Sequence, residues 1–228
     1  MPVPKNILIA GASGMVGNEL FQICLYSNDV NKIYLLSRKA QQYKHAKVHE
    51  IIVDDFLNHD FLASIKEKID VVFYCIGVYT GAAEKKLFEQ ITVQYPVALA
   101  RSIIEYWPSS KFILLSGSGA DRSEKSGVMF AKYKGMAENQ LYNIFKTNFH
   151  SARPGYIYPI LKRQEPNFMY SLMRTLYPVI KWLGKKYSIT SVELAKAIFA
   201  LGMQKHQKIT FENESLIELS LTVNQRID

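Results

Sequence analysis

The residues that invite a chemical reading first are three glycines spaced three apart, Gly11, Gly14 and Gly17, directly after the apolar run 7–10. On their far side, Val16, Leu20, Ile23 and Cys24 recur at helical spacing. Strand, glycine turn and helix in that order give backbone access to a ligand. The first glycine permits a tight turn, the second lets the main chain approach a pyrophosphate, and the third lets the helix pack on the strand. Unpaired amides at the helix start, at the positive end of its dipole, suit a phosphate pair. The spacing here is GxxGxxG rather than the commoner GxGxxG.

Three other places extend that chemistry. After the second apolar run, 33–37, come Ser37, Arg38 and Lys39. An acid at this strand end binds the 2′-hydroxyl of NAD, whereas an arginine meets the 2′-phosphate of NADP. The position holds no acid, so the expected cofactor is NADP rather than NAD. The third run, 49–53, ends in Asp54, Asp55 and Phe56. A carboxylate there can accept a hydrogen bond from an adenine amino group with Phe56 against the ring, or Asp55 can simply cap the next turn. The fourth run, 71–76, is apolar on both faces and closes at Gly77, whose bare backbone can lie beside a ribose. Other chemistries find little footing. His45, His49, His59, His150 and His206 show no ligand spacing, so no metal is expected. No GxSxG elbow with a partner histidine signals nucleophilic hydrolysis.

The elements that must position these residues alternate. Strands are expected at 7–10, 33–37, 49–53, 71–76, 111–115 and 149–152, separated by helical patterns at 61–69, 84–107 and 128–145. In the long segment 84–107, Leu87, Ile91, Leu99, Ile103 and Ile104 are expected inward, with a kink or helix start at Pro96. The rhythm predicts an α/β, doubly wound parallel sheet that binds ligands at the carboxyl ends of its strands. From Tyr156 it breaks. Residues 156–187 carry Pro159, Pro166 and Pro178 among aromatic and basic residues, and 156–215 is expected as a small C-terminal lobe over the cleft. A helix at 192–203 and a late strand at 216–221 complete the expectation.

With 228 residues, 48% of them hydrophobic, one domain spanning 1–228 with a single sizeable core is the default. No secretory pattern opens the sequence, and no apolar run approaches the roughly 20 residues that span a bilayer. Two cysteines, Cys24 and Cys75, fall in apolar segments and read as reduced thiols, which fits a cytoplasmic protein. The net charge of +8 is uneven: 122–186 holds twelve Lys or Arg against three acids, and the rest holds sixteen against seventeen. A polyanionic small molecule accounts for part of this excess, and a solvated basic face is the plain alternative. The basic residues are scattered, so nucleic acid is not an expected partner.

Taken in order, several motifs resemble one family. They are GxxGxxG at 11–17, Leu-Leu-Ser-Arg at 35–38, Cys-Ile-Gly at 75–77 and Leu-Leu-Ser-x-x-Gly-Ala-Asp at 114–121. They continue with Lys134-Gly135, Ala137-Glu138 and Arg153-Pro154-Gly155. The chain thus resembles the atypical short-chain dehydrogenases/reductases, NAD(P)-binding Rossmann proteins similar to NmrA, in the branch of Tat-interacting-protein oxidoreductases, over about residues 5–205. The resemblance implies NADP(H) held by Gly11, Ala12, Ser13, Gly14, Met15 and Val16, by Arg38, Asp55 and Phe56, and by Cys75, Ile76 and Gly77. It also implies that Gly155, Tyr156 and Ile157 give backbone contacts to the nicotinamide carboxamide.

Family chemistry runs through a serine, a tyrosine and a lysine, the last two as Tyr-x-x-x-Lys one helical turn apart. The lysine lowers the phenol pKa and holds the nicotinamide ribose, and the phenol passes a proton to the carbonyl. Lys134 stands at the lysine position, and four residues earlier sits Phe130, which has no transferable proton. Tyr133 lies about 100° around the helix from Lys134 and cannot replace it. Ser116 and Ser118 are the candidate serines, flanking Gly117 where the family often has a second serine.

Two functions follow. One is an NADP(H)-dependent oxidoreductase on a small carbonyl substrate with non-standard proton donation, Tyr156 and Tyr158 being the nearest other phenols. The other is a catalytically inactive NADP(H)-sensing regulator that binds a protein partner through 156–187. A third reading makes 169–186 a membrane-surface helix, with Leu172, Met173, Leu176, Val179, Ile180 and Leu183 on its apolar side. Pro178 interrupts that stripe and a lid over the cleft gives the same pattern, so peripheral membrane contact ranks last. The chain is expected as a monomer or a dimer.

Overall fold

The computed structural model describes residues 3–78, 84–160, 177, 184 and 186–224. Seven parallel strands form one sheet in the order β3-β2-β1-β4-β5-β6-β9. They are β1 (Lys5–Ala10), β2 (Val30–Ser37), β3 (Val48–Ile52), β4 (Val71–Tyr74), β5 (Lys111–Leu115), β6 (Phe149–Arg153) and β9 (Thr210–Glu212). A separate parallel pair joins β7 (Tyr156–Tyr158) to β8 (Ser188–Thr190). The helices are α1 (Met15–Tyr26), α2 (Lys85–Glu89), α3 (Tyr95–Tyr106), α4 (Met129–Phe145), α5 (Ser191–Met203) and α6 (Asn213–Asn224).

Period-two alternation in the central strands builds the two layers. Ile7, Ile9, Val71 and Phe73 point into one buried cluster with α1, α5 and α6. Leu8, Ala10, Val72 and Tyr74 point into the other, which α3 and α4 cover. Burying each such large side chain stabilises the fold by about 1.5–3 kcal/mol, which is why these strands are apolar on both faces. The doubly wound α/β architecture expected from the sequence is therefore the architecture found.

Four details differ from expectation. Residues 216–221 are helical, within α6, rather than a strand. The last strand of the sheet is β9, three residues long at the edge beside β6. The segment 61–69 forms only a short 3₁₀ turn, Asp60–Ser64. Leu87 is 46% exposed and Phe88 is buried in its place. The cause lies in the π-helical turn Gln90–Gln94 between α2 and α3, since its wider turn shifts the helical phase of everything upstream. Pro96 follows directly on that π-helical turn, inside a helical run that continues from α2 into α3, so the helix changes its winding there rather than starting anew. The range 156–215 of the expected lobe holds β7, β8, α5, the sheet strand β9 and the start of α6, and its 161–176 stretch lies outside the described residues, as does nearly all of the 169–186 amphipathic segment.

Among the described residues no helix is long and apolar enough to cross a membrane, and no group of three or more His, Cys, Asp or Glu could hold a metal.

Candidate functional site

The carboxyl ends of β1, β4, β5 and β6 open onto one cavity of about 380 Å³. Its first wall is the glycine turn. Gly11 takes φ +92°, and a β-carbon there would stand 2.9 Å from the Cys75 carbonyl carbon and the Ile76 nitrogen. The turn is thus pressed against the exit of β4. A β-carbon on Gly17 would fall inside the Gly11 carbonyl oxygen, so only glycine lets α1 sit this close to its strand. Gly14 caps α1, its N–H donating to the Gly11 carbonyl at 3.0 Å. The first intrahelical bond runs from the Asn18 amide to Gly14, leaving the amides of Met15, Val16 and Gly17 without an intrahelical acceptor. Gly14, Met15 and Val16 line the cavity.

The floor is the exit of β4, Cys75 to Val78. Burial pushes the Cys75 thiol up to about 12, so it stays protonated although the Lys134 charge pulls the other way.

The far wall comes from α4 and the β5 and β6 exits. Phe130, Lys134 and Glu138 follow one another at helical spacing on the face of α4 toward the strand ends. Lys134 is 8% exposed and donates from Nζ to the Leu115 carbonyl at 3.0 Å. Burial lowers its pKa to about 8, with the Glu138 carboxylate opposing that shift. Ser116 also lines the cavity, but its hydroxyl donates to Glu138 Oε1 at 2.7 Å. Glu138 is fully buried, accepts a second hydroxyl from Ser151 at 2.7 Å and pairs with Arg153 through two guanidinium nitrogens. Arg153 in turn reaches Glu212 on β9.

Phe130 occupies the space over Gly117. Its Cζ lies 2.5 Å from where a β-carbon of residue 117 would be, with Cε1 at 3.3 Å and Cε2 at 3.5 Å. The near-equal outer distances mean that the ring meets Gly117 tip first. Tyr133, on another face of α4, packs against Phe88 and shares a hydrogen bond with Glu89. Ser118 is exposed, outside the cavity lining, with its amide donating to the Pro154 carbonyl at 2.8 Å.

Gly155, Tyr156 and Ile157 close the remaining side. Gly155 N–H donates to Asn213 Oδ1 at 2.7 Å, and Asn213 Nδ2 donates to the Ser188 carbonyl at 2.8 Å. Asn213 is a residue that sequence reasoning passed over; its one local sign was an asparagine at the start of a helix. Glu138 enters the sequence motifs without a role of its own.

The candidate residues therefore divide. Gly14, Met15, Val16, Cys75, Ile76, Gly77, Ser116, Lys134, Gly155, Tyr156 and Ile157 meet around one cavity, with Gly11 and Ala12 buttressing the turn. Arg38 is exposed just past the end of β2, the strand beside β1. Asp55 is exposed and Oδ1 accepts from the Leu57 amide at 2.9 Å, the capping arrangement. Phe56 is 9% exposed and packs against Tyr95 with ring centroids 5.5 Å apart. Ser13 is exposed on the turn.

Residues 6–93 match the family model of the semialdehyde dehydrogenase NAD binding domain. Over nearly the whole chain, the backbone is similar to solved structures. A short chain dehydrogenase from Burkholderia cenocepacia in complex with NADP aligns with a TM-score of 0.67 at 14% identity, over 98% of this chain and 92% of that one. A UDP-N-acetylglucosamine 4-epimerase from Methanobrevibacter ruminantium, in complex with UDP-N-acetylmuramic acid, aligns at 0.69 and 15%, over 92% and 77%. A dTDP-glucose 4,6-dehydratase from Bacillus anthracis in complex with NAD aligns at 0.65 and 16%, over 97% and 82%. The fold is that of the NAD(P)-binding Rossmann proteins. At these identities the likeness is one of fold, and the cavity lies where open α/β sheets bind their ligands, outside the carboxyl ends of the strands.

Proposed function

We propose that this chain binds NADP(H) in the cavity and acts as an oxidoreductase on a small carbonyl substrate, without the phenol that usually supplies the proton. One observation carries the reading: the amides at the start of α1, the β4 exit, the Lys134 ammonium and the Gly155–Ile157 backbone all face a single cleft at the strand ends. The cradle fits a dinucleotide, because Gly14, Met15 and Val16 line the cavity at the start of α1, where the Met15 and Val16 amides have no intrahelical acceptor. When bound, the cofactor supplies or accepts a hydride.

The protein's own groups then have separable tasks. Met15 and Val16 offer amides to a pyrophosphate, and Arg38, with no acid beside it, offers a guanidinium to a 2′-phosphate. Lys134 holds the nicotinamide ribose and lends positive charge, and backbone groups at Gly155 to Ile157 meet the carboxamide. The motifs shared with the NmrA-like, Tat-interacting branch support this assignment. Calorimetry tests it. NADPH is expected to bind at least about tenfold more tightly than NADH, with the preference lost in Arg38→Ala; no heat with any nicotinamide nucleotide overturns it.

A second reading is favoured by Phe130 over Gly117 and by the engagement of the Ser116 proton. It makes the chain an NADP(H)-sensing cytoplasmic regulator that presents residues 156–187 to a protein partner. NADPH oxidation by the wild-type protein with any acceptor of a panel removes that reading.

A further inference from the structure

We propose that the acceptor served by this cleft is a planar quinone rather than an aldehyde or simple ketone, an inference that rests on the nicotinamide reading of the cavity given above.

Proton supply carries the argument. Hydride addition to an aldehyde leaves a localised alkoxide, a strong base that needs a directed acid as it forms, and losing such an acid costs about 10²–10⁴-fold in rate. Here the position one turn before Lys134 is a phenyl ring seated tip first on Gly117. The Ser116 proton goes to Glu138 and Ser118 is outside the lining. A quinone takes a hydride differently. It accepts two electrons and one proton from the C4 position of the dihydronicotinamide, which is oxidised, and becomes a hydroquinone monoanion. That charge spreads over an aromatic ring with phenol-like basicity, a pKa of about 10 on the tyrosine scale. One proton from bulk water then completes the hydroquinone. Its balance requires no side-chain acid.

Charge and shape agree with this. The buried Lys134 ammonium sits at the cavity wall, where a low local dielectric strengthens its attraction for a developing anion. Val78, Leu115 and Phe130 add apolar or aromatic surface, and Tyr156 adds a ring whose phenol comes from the β7 side of the cavity rather than from the Phe130 position one turn before Lys134. The lining rings that a flat acceptor can pack against are Phe130 and Tyr156.

The test uses the full chain under anaerobic conditions, following loss of reduced-nicotinamide absorbance with menadione, 4-nitrobenzaldehyde and cyclohexanone, and subtracting the uncatalysed rates. Nucleotide binding is measured separately by calorimetry. The expected result is a kcat/KM for menadione at least about 100-fold above either carbonyl compound. Phe130→Leu is expected to raise the menadione KM several-fold while NADPH affinity stays within about twofold. Aldehyde turnover within tenfold of menadione overturns the proposal, since it shows that a side chain in the cleft, Tyr156 first, donates a proton. Tight NADPH binding without menadione turnover overturns it while leaving the cofactor reading intact. Absence of any nucleotide binding overturns both, and the calorimetry tells the two failures apart.

Discussion

The para carbon of Phe130 points at Gly117, 2.5 Å from the place where a β-carbon would stand. The two residues define each other. Any side chain at 117 must displace the ring, and any para substituent on the ring must run into the 117 backbone. Gly117→Ala is therefore expected to destabilise the protein by about 1–3 kcal/mol through overpacking. Combined with Phe130→Leu the cost is expected to fall, a non-additivity that denaturant titration of both single variants and the pair would detect. Phe130→Tyr is expected to leave aldehyde reduction where it was, because its oxygen heads into Gly117 rather than into the cleft.

Gly17 and Gly77 are both bare backbone near the glycine turn, yet they differ in what surrounds them. An added methyl on Gly17 collides with the Gly11 carbonyl, whereas nothing lies within 4 Å of one on Gly77. Gly17→Ala is expected to lower Tm by several degrees and to abolish nucleotide binding, and Gly77→Ala to leave Tm unchanged. Equal Tm values for the two would mean that α1 is not held against its strand as described.

Lys134 gives the site a pH dependence with a definite sign. Burial lowers its folded pKa to about 8, below the ordinary 10.5. Its charge is complete below that value and lost as pH rises through it, so NADPH affinity is expected to weaken between about pH 7 and 9. Stability moves oppositely: the unfolded chain binds the proton more tightly, so this group's penalty shrinks as pH rises from about 8 to 10.5. Lys134→Met should flatten the affinity profile, as calorimetry at several pH values would show.

Glu138 is a fully buried carboxylate whose partners are Ser116, Ser151 and Arg153. Glu138→Ala is expected to cost about 3–5 kcal/mol, because it takes the buried carboxylate from a mostly buried guanidinium, leaves Arg153 only the exposed Glu212 carboxylate, and unpairs the Ser116 and Ser151 hydroxyls. Chemical denaturation would measure that loss, and a cost below 1 kcal/mol would show that solvent reaches Arg153.

His150 is 1% exposed, with Nδ1 at 3.0 Å from the Lys208 carbonyl, and burial lowers its pKa from 6.5 to about 4. The unfolded chain therefore binds a proton that the folded chain refuses, and stability falls as pH drops from about 6.5 to 4. His150→Gln should remove that part of the acid slope in thermal melts, whatever it does to Tm at neutral pH.

The central strands were legible because each is a short apolar run closed by glycine or polar turn residues, and burial on both faces leaves no other reading for residues 7–10 or 71–74. The 216–221 stretch was not legible. Its Leu-Ile-Glu-Leu-Ser-Leu order satisfies periods of both 2 and 3.6, and only packing against α5 selects the helix. Leu87 is misplaced for a different reason: its phase is projected across the π-helical turn, which the sequence marks only through Pro96 just beyond it, as a kink or a helix start. In the site, the glycine turn is legible from spacing, and Lys134 from the family resemblance. The commitment of Ser116 to Glu138 is not legible, because it depends on how α4 lies over two strand ends at once.

Asn213 gives this cleft a clasp. One amide group takes the N–H of Gly155, 58 positions earlier, with its oxygen and reaches the carbonyl of Ser188, 25 positions earlier, with its nitrogen. A shortened chain that keeps every glycine of the first turn and every side chain of α4 would still lose that fastening. The glycine-turn half is consequently no transplantable cassette: what finishes the cleft's rim is stitched in from far along the polypeptide.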